Sequence, residues 1–284
     1  MYVISGSTHQ RLGASLAEEM NSEFCGVVNR HFPDGERYIR VLMDVSNQDV
    51  VVVQNTFPDK KIVELLLILE AVKEAGAKSV TCVIPYMGYS RQERVFQAGE
   101  ARSAKAIASA IGAMCDRVFT INVHTPSILD FFGCEAKDIN GSREVVRYLK
   151  GFNPQMVVAP DEGSRDRCTL AADMLKVPVH VMKKVRIDGR TVETTSGQVN
   201  VKGATAVILD DIISTGGTIA TAANILRDGG AERVFAACTH GLFIEDAANR
   251  LRVCDDILSS DTLEGVYTRF SVAPAIADAL LCFG

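Results

Sequence analysis

The chain repeats itself. Displaced by 154 residues, Leu16-Ala17-Glu18-Glu19-Met20 falls on Leu170-Ala171-Ala172-Asp173-Met174, and Asp34-Gly35 falls on Asp188-Gly189. In the same register Ala75-Gly76-Ala77-Lys78-Ser79-Val80 meets Gly229-Gly230-Ala231-Glu232-Arg233-Val234. One such match would be chance; three without a gap argue for two copies of one domain. Each copy alternates short apolar runs with amphipathic stretches, the pattern of strands joined by crossover helices. In the first copy the strands fall at Val3-Ile4, Val50 to Val53, Val80 to Ile84 and Val118 to Val123. Helices are predicted over Leu12 to Met20, Ile62 to Ala75 and Ser103 to Ile111. The second copy has strands at Met156 to Pro160, Val177 to Met182, Ala206 to Leu209, Arg233 to His240 and Val266 to Phe270, and a closing helix at Pro274 to Leu281. The expected fold class is therefore α/β, each domain a mainly parallel sheet flanked by helices. Gly151-Phe152-Asn153-Pro154 reads as a connector, and the boundary is drawn to give domains 1–146 and 147–284.

The second copy contains Ala206-Val207-Ile208-Leu209-Asp210-Asp211-Ile212-Ile213-Ser214-Thr215-Gly216-Gly217-Thr218, followed by a helical stretch from Ile219. An apolar run closed by a turn signal reads as a buried parallel strand. The loop from Ser214 to Thr218 carries two glycines and three hydroxyls just before a helix. Such a loop lets main-chain N–H groups and the helix N-terminus surround a phosphate. Asp210 and Asp211 would repel that phosphate, but they suit sugar hydroxyls or a cation. Together they point to a phosphorylated sugar. The plain alternative is a surface turn with a Ser or Thr N-cap. In the repeat register Asp210 and Asp211 correspond to Thr56 and Phe57, and Asp161 to Ser7. The acidic site belongs to the second copy alone, and the first must serve something else.

Other stretches sit where ligands bind in open parallel sheets, past the C-terminal ends of strands. Pro85-Tyr86-Met87-Gly88-Tyr89-Ser90-Arg91-Gln92-Glu93-Arg94 follows one strand and offers aromatics to a base and arginines to phosphates; a solvated charged loop is the alternative. His124 ends the next strand, as a metal ligand, a phosphate donor or a satisfied structural histidine. Asp161 ends the first strand of the second copy beside Gly163, placed for Mg²⁺ or its waters, or as an N-cap. Phe32-Pro33-Asp34-Gly35-Glu36-Arg37 carries turn chemistry. Lys183 to Val192 reads as a basic hairpin turning at Asp188-Gly189, or as a charged edge that discourages sheet pairing.

Composition removes several classes. The net charge of −5 argues against nucleic acid as a partner. No apolar window approaches the roughly 18 residues of a membrane span. The eight cysteines form no C-x-x-C pair and no zinc spacing, which suits reduced thiols in a cytoplasm. There is no P-loop, so a nucleoside triphosphate would have to be held without one.

The Asp210 to Thr218 stretch resembles the signature shared by type I phosphoribosyltransferases and phosphoribosyl diphosphate synthetases. The other elements separate those two. Phe32-Pro33-Asp34-Gly35-Glu36, Pro85-Tyr86-x-x-Tyr89-x-Arg91-Gln92, His124, Asp161-x-Gly163 and Lys184-x-Arg186 occur with it in the order seen in ribose-phosphate diphosphokinases, nearest the archaeal branch. The resemblance spans nearly the whole chain. It implies two duplicated domains of the type I phosphoribosyltransferase-like fold, the first on the ATP side with the oligomer contacts, the second holding ribose 5-phosphate. It implies transfer of the diphosphoryl group of ATP to the C1 hydroxyl of ribose 5-phosphate. Ser214, Thr215, Gly216, Gly217 and Thr218 would hold the 5-phosphate, and Asp210 and Asp211 the ribose hydroxyls. Arg91 and Gln92 would contact ATP, and Asp34, Gly35 and Glu36 the adenine of a neighbouring subunit in a homo-oligomer built from dimers. His124 and Asp161 would lie at Mg²⁺, and the catalytic pair Lys184 and Arg186 would close over the reacting phosphorus, Arg186 also reaching ribose 5-phosphate. Two other readings are a phosphoribosyltransferase and a catalytically silent regulatory homologue. Three residues depart from the pattern: Ser164 for a glycine, Asn122 for an acid and Ser214 for an Asp common in longer relatives.

Overall fold

Val50-Val51-Val52-Val53 shows how the first copy is built. Val50 and Val52 pack into one apolar cluster, Val51 and Val53 into another on the opposite side. Side chains alternate along a strand, so an all-apolar run belongs in a sheet covered on both faces. The computed structural model describes residues 1–186, 192–195 and 201–282, with side-chain detail lacking at 183–186 and 192–195. They fall into two units: Met1–Asn140 together with the segment from Val272 onward, and Gly141–Ser271.

The first unit runs β1 (Tyr2–Ser5), α1 (Gln10–Glu19), β2 (Glu23–His31), β3 (Arg37–Val41), β4 (Asp49–Val53), α2 (Lys60–Glu74), β5 (Ser79–Ile84), α3 (Ser103–Gly112), β6 (Arg117–Ile121) and β7 (Glu135–Ile139). Its sheet has the order β3-β2-β1-β4-β5-β6-β7, parallel except for the antiparallel β2–β3 hairpin. The second unit runs α4 (Ser142–Leu149), β8 (Met156–Ala159), α5 (Arg165–Leu175), β9 (Val179–Val181), β10 (Lys183–Arg186), β11 (Val192–Thr195), β12 (Thr205–Ile213), α6 (Gly217–Asp228), β13 (Arg233–Gly241), α7 (Ala247–Arg250), β14 (Asp256–Ser260) and β15 (Thr268–Phe270). Its main sheet is parallel, in the order β9-β8-β12-β13-β14-β15, and β10 and β11 form a separate antiparallel pair. The two orders superpose strand for strand, β9-β8-β12-β13-β14-β15 reading as β2-β1-β4-β5-β6-β7. Displaced by 154 residues, Tyr2–Ser5 falls on Met156–Ala159 end for end.

Two features differ from the boundary expected from sequence. The stretch near 146 is helical: α4 turns Val145, Val146 and Leu149 into the second unit's core, so the division falls before it, between Asn140 and Gly141, and Gly151 to Pro154 lies inside the second unit. The final helix α8 (Ala273–Leu281) joins the first unit rather than the second. Its Ile276 and Leu280 pack with Leu12 and Leu16 of α1 and with Val3 and Val51 of the sheet. An apolar helix is drawn to whichever sheet face lacks cover, and α1 alone leaves part of that face open. Among the described residues no helix is long and apolar enough to cross a membrane.

Candidate functional site

β12 lies between β8 and β13 in the second unit. Ala206 and Ile208 enter one core and Val207 and Leu209 the other, so the strand is held from both sides before the acids begin. It continues through the acids to Ile213. Asp211 is buried and Asp210 half-buried. Their charge is met by Arg167 in the first turn of α5, whose Nη1 lies 2.8 Å from Asp210 Oδ1 and 2.9 Å from Asp211 Oδ1. Ser164 Oγ donates to Asp210 Oδ1 at 2.7 Å and, at 3.4 Å, to Asp161 Oδ1. The Asp211 main-chain N–H donates to the same Asp210 oxygen at 2.9 Å. Burial first, and Asp211 beside it, push the Asp210 carboxyl up to about 6 against the pull of Ser164 and Arg167.

The loop after β12 fits an anion. Gly216 has φ +74°, a left-handed conformation that glycine adopts without a Cβ penalty. A Cβ there would meet Leu251 Cγ at 3.0 Å, whereas a Cβ on Gly217 would meet nothing within 4 Å. Arg250 Nη1 donates to the Thr215 carbonyl at 2.9 Å, and Ile244 N–H to the Ser214 carbonyl at 3.1 Å, tying the loop from outside. Among the described residues the main-chain N–H groups from Ser214 to Thr218 meet no acceptor. They lead into a helix of 12 residues, whose N-terminal dipole adds to their attraction for an anion.

In the first unit Phe57, Asp59, Tyr86, Gly88, Tyr89, Ser90, Arg91 and Gln92 line a cleft of about 380 Å³. Thr56 Oγ1 accepts from Gly88 N–H at 2.7 Å and Asn55 Oδ1 from Tyr86 N–H at 2.7 Å, which fixes the start of the loop. A Cβ on Gly88 would come within 2.9 Å of the Thr56 carbonyl, so this close approach needs glycine. Tyr89 donates to Asp59 Oδ1 at 2.6 Å, and Phe57 meets Tyr86 edge-on at 5.9 Å. Arg91 is exposed, and Gln92 donates to Glu100 at 3.3 Å.

Asp34, Gly35 and Glu36 form the exposed tip of the β2–β3 hairpin, closed by Asp34 Oδ1 accepting from Glu36 N–H at 3.0 Å. They do not line the cleft around Arg91. His124 is exposed just past β6. The turn before it contains Asn122 at φ +43° and is held by Asp138, whose Oδ1 accepts from Val123 N–H at 2.9 Å and Thr120 Oγ1 at 2.6 Å. Asp161 opens the turn between β8 and α5. Lys184 and Arg186 lie on β10, paired with β11 as a hairpin requires; their side chains and the Asp188-Gly189 turn lie outside the described residues. Among the described residues no group of three or more His, Cys, Asp or Glu side chains is placed to hold a metal ion.

Sequence reasoning passed over Arg167, Asp138 and the hydroxyl role of Ser164. Arg167 carried a usable signal: it lies one helical turn after a strand-end glycine, on the element that follows Asp161. Asp138 carried none, since its strand is polar along most of its length.

Comparisons with known proteins agree over the whole chain. Residues 1–114 match the family described as the N-terminal domain of ribose phosphate pyrophosphokinase, and residues 137–272 match the phosphoribosyl transferase domain. A ribose-phosphate pyrophosphokinase of Methanopyrus kandleri is 38% identical over 286 residues, covering 99% of this chain and 98% of its own. One from Methanothermobacter thermautotrophicus is also 38% identical, covering 98% of this chain and 99% of its own. The crystal structure of phosphoribosylpyrophosphate synthetase from Mycobacterium smegmatis aligns with a TM-score of 0.85 at 27% identity, covering 99% of this chain and 98% of that one.

Proposed function

This chain belongs to the ribose-phosphate pyrophosphokinase family, and on that footing we propose how its residues carry the reaction. The enzyme transfers the diphosphoryl group of ATP to the C1 hydroxyl of ribose 5-phosphate, giving phosphoribosyl diphosphate and AMP. The observation that carries the assignment of residues is the acid pair of β12 followed at once by a loop of unmet N–H groups opening α6. A sugar phosphate needs both: acceptors for its hydroxyls and donors for its phosphate. Ser214, Thr215, Gly216, Gly217 and Thr218 hold the 5-phosphate, and Asp210 and Asp211 accept from the ribose hydroxyls.

Arg91 and Gln92 contact ATP at the cleft of the first unit, where Tyr86, Tyr89 and Phe57 offer aromatic surface to the base. Asp34, Gly35 and Glu36 stand on an exposed hairpin tip away from that cleft, which supports their serving the ATP of a neighbouring subunit in a homo-oligomer built from dimers. Mg²⁺ is the metal. It keeps several waters and binds through one or two carboxylates plus substrate phosphates, so no all-protein cage is required. The half-buried Asp161 carboxylate fits that demand, with His124 as the second residue offered. When bound, the metal supplies positive charge to the phosphates. The eight free cysteines suit a cytoplasmic protein.

The reaction demands alignment and charge stabilisation rather than covalent chemistry. The phosphate loop and acid pair fix the ribose so that its C1 hydroxyl faces the incoming phosphorus. Lys184 and Arg186 neutralise charge as it moves onto the departing AMP oxygen. Their strand pair covers the reacting groups and keeps water from competing as acceptor.

The test is AMP release from ATP with Mg²⁺, with and without ribose 5-phosphate. AMP that depends on ribose 5-phosphate is the expected result. A phosphoribosyltransferase would release none, and ribose 5-phosphate binding without AMP would identify a silent homologue. Lys184→Ala is expected to lower kcat by roughly 10²–10³, the effect of one lost transition-state contact, with a smaller change in the KM for ribose 5-phosphate. A near-normal kcat removes Lys184 from the mechanism.

A further inference from the structure

Two carboxylates on consecutive residues of a buried strand repel each other, and the protein must hold both. Arg167 meets them with a single nitrogen, Nη1, at 2.8 and 2.9 Å. Ser164, itself 2% exposed, aims its hydroxyl at the same Asp210 oxygen from the turn before α5. Asp210 Oδ1 thus receives Ser164 Oγ, Arg167 Nη1 and the Asp211 N–H. That many donors on one oxygen leave the carboxylate little freedom to rotate, and they favour its charged form.

We propose that Arg167, assisted by Ser164, is the positioning residue of the acid pair, holding Asp210 ionised and in one orientation so that it accepts from ribose hydroxyls at neutral pH. This rests on the reading of Asp210 and Asp211 as the ribose acceptors. A protonated Asp210 would present a donor where the sugar also presents one, and a rotated one would miss the hydroxyl.

Among the described residues, the groups around Asp210 leave Arg167 as its cation. Asp211 on the same strand raises the Asp210 carboxyl, as burial does. From α5 comes Cys168, whose thiol burial pushes up to about 12, and from β13 comes Cys238, pushed higher still; both stay neutral. Asp161, at the end of β8, is a further negative charge reached through Ser164. With Asp210 already near 6, loss of Arg167 moves its titration toward neutrality.

The experiment is kcat/KM for ribose 5-phosphate and for ATP, in wild type, Arg167→Gln and Ser164→Ala, from pH 6.5 to 9 with saturating Mg²⁺; those pH limits are set by the roughly neutral titration expected. Arg167→Gln is expected to lose about tenfold or more in kcat/KM for ribose 5-phosphate at pH 7, through KM more than kcat. The deficit shrinks as pH rises and Asp210 ionises unaided, while the KM for ATP stays put. Ser164→Ala moves the same way by less, and carries the test should Arg167→Gln not fold. A deficit that is flat across pH, an unchanged kcat/KM, or a change confined to ATP overturns the proposal. Wild-type protein that makes no AMP would instead overturn the reading of the site, so the two failures are told apart.

Discussion

Gly216 and Gly217 are adjacent and differ in what they are for, which a pair of alanine substitutions exposes. At Gly216 the backbone is left-handed and a Cβ meets Leu251 at 3.0, 3.2 and 3.3 Å, with Leu251 itself 1% exposed. Placing an L-residue in that conformation costs about 1–2 kcal/mol, and crowding a buried leucine about 1–3 kcal/mol more. Gly216→Ala is therefore expected to lose about 2–5 kcal/mol, a large share of the roughly 5–15 kcal/mol that holds a domain folded. At Gly217 the φ is not positive and the added methyl group meets nothing within 4 Å. Restricting the unfolded chain makes Gly217→Ala neutral or stabilising by about 0.4–1 kcal/mol. The methyl group then stands in the space where a phosphate approaches the N–H groups. One lost hydrogen bond to a charged group is worth about 1.5–3 kcal/mol, or about 10- to 100-fold in kcat/KM for ribose 5-phosphate. Urea unfolding and initial rates of AMP release over a ribose 5-phosphate series measure the two quantities separately. Gly217→Ala with an unaltered KM refutes the phosphate loop, and Gly216→Ala with wild-type stability refutes the packing argument.

Asp210→Asn removes a half-buried charge that the proposed ribose contact needs and folding does not. The Asp210 carboxyl sits near 6 in the native protein against an ordinary 3.8. The native state therefore binds more protons than the unfolded chain between about pH 4 and 6, and stability falls as pH rises through that window. At pH 7 the variant is expected to be more stable by up to about 3 kcal/mol, while losing ribose 5-phosphate turnover. The stability gap should close as pH is lowered to about 4, where a gap independent of pH would contradict the assignment. Ile276→Ala in α8 is expected to cost about 2–5 kcal/mol of first-unit stability in urea, as for a fully buried aliphatic residue. A loss of less than about 1 kcal/mol would show that α8 does not complete that core.

What could be read from the residues was whatever burial writes into a pattern. Val50 to Val53 and Ala206 to Leu209 lie between two cores, so they must be apolar throughout, and a strand of that kind is legible. β7 and β14 were not predicted, because β7 carries polar residues at most positions and β14 two buried serines. The placement of α8 follows from which face lacks cover, a tertiary fact with no local sign. In the proposed site, the Ser214 to Thr218 loop was legible because a left-handed turn into a helix shows as glycines and hydroxyls in the residues themselves. Arg167 left only a positional sign, one turn after Gly163, since its contact with the acids exists only once α5 is laid against β12. Ser164, read from sequence as a departure, is a buried hydroxyl donor to Asp210.

In the first copy the positions that correspond to the proposed sugar site are filled differently. The position of Asp161 is taken by Ser7, whose N–H and hydroxyl donate at 2.7 and 2.9 Å to Glu64, a carboxylate buried in the same unit. Lys61 and Arg37 pair with Glu64 at 3.1 and 3.3 Å, so the donors that an anion would use are already answered from within the chain. Burial pushes the Glu64 carboxyl up, but the Ser7 and Lys61 donors outweigh it and hold it below its ordinary value, a charge kept rather than shed. The acid pair has been reassigned as well. Thr56 stands at the position of Asp210 and accepts from Gly88 N–H, and Phe57 stands at that of Asp211 and lines the cleft beside Tyr86. The same strand end that is proposed to face a sugar in one copy therefore anchors the start of the Tyr86 to Gln92 loop in the other. One scaffold makes two unlike sites because parallel sheets offer the ends of the same strands, and the chemistry is decided by the few residues placed there.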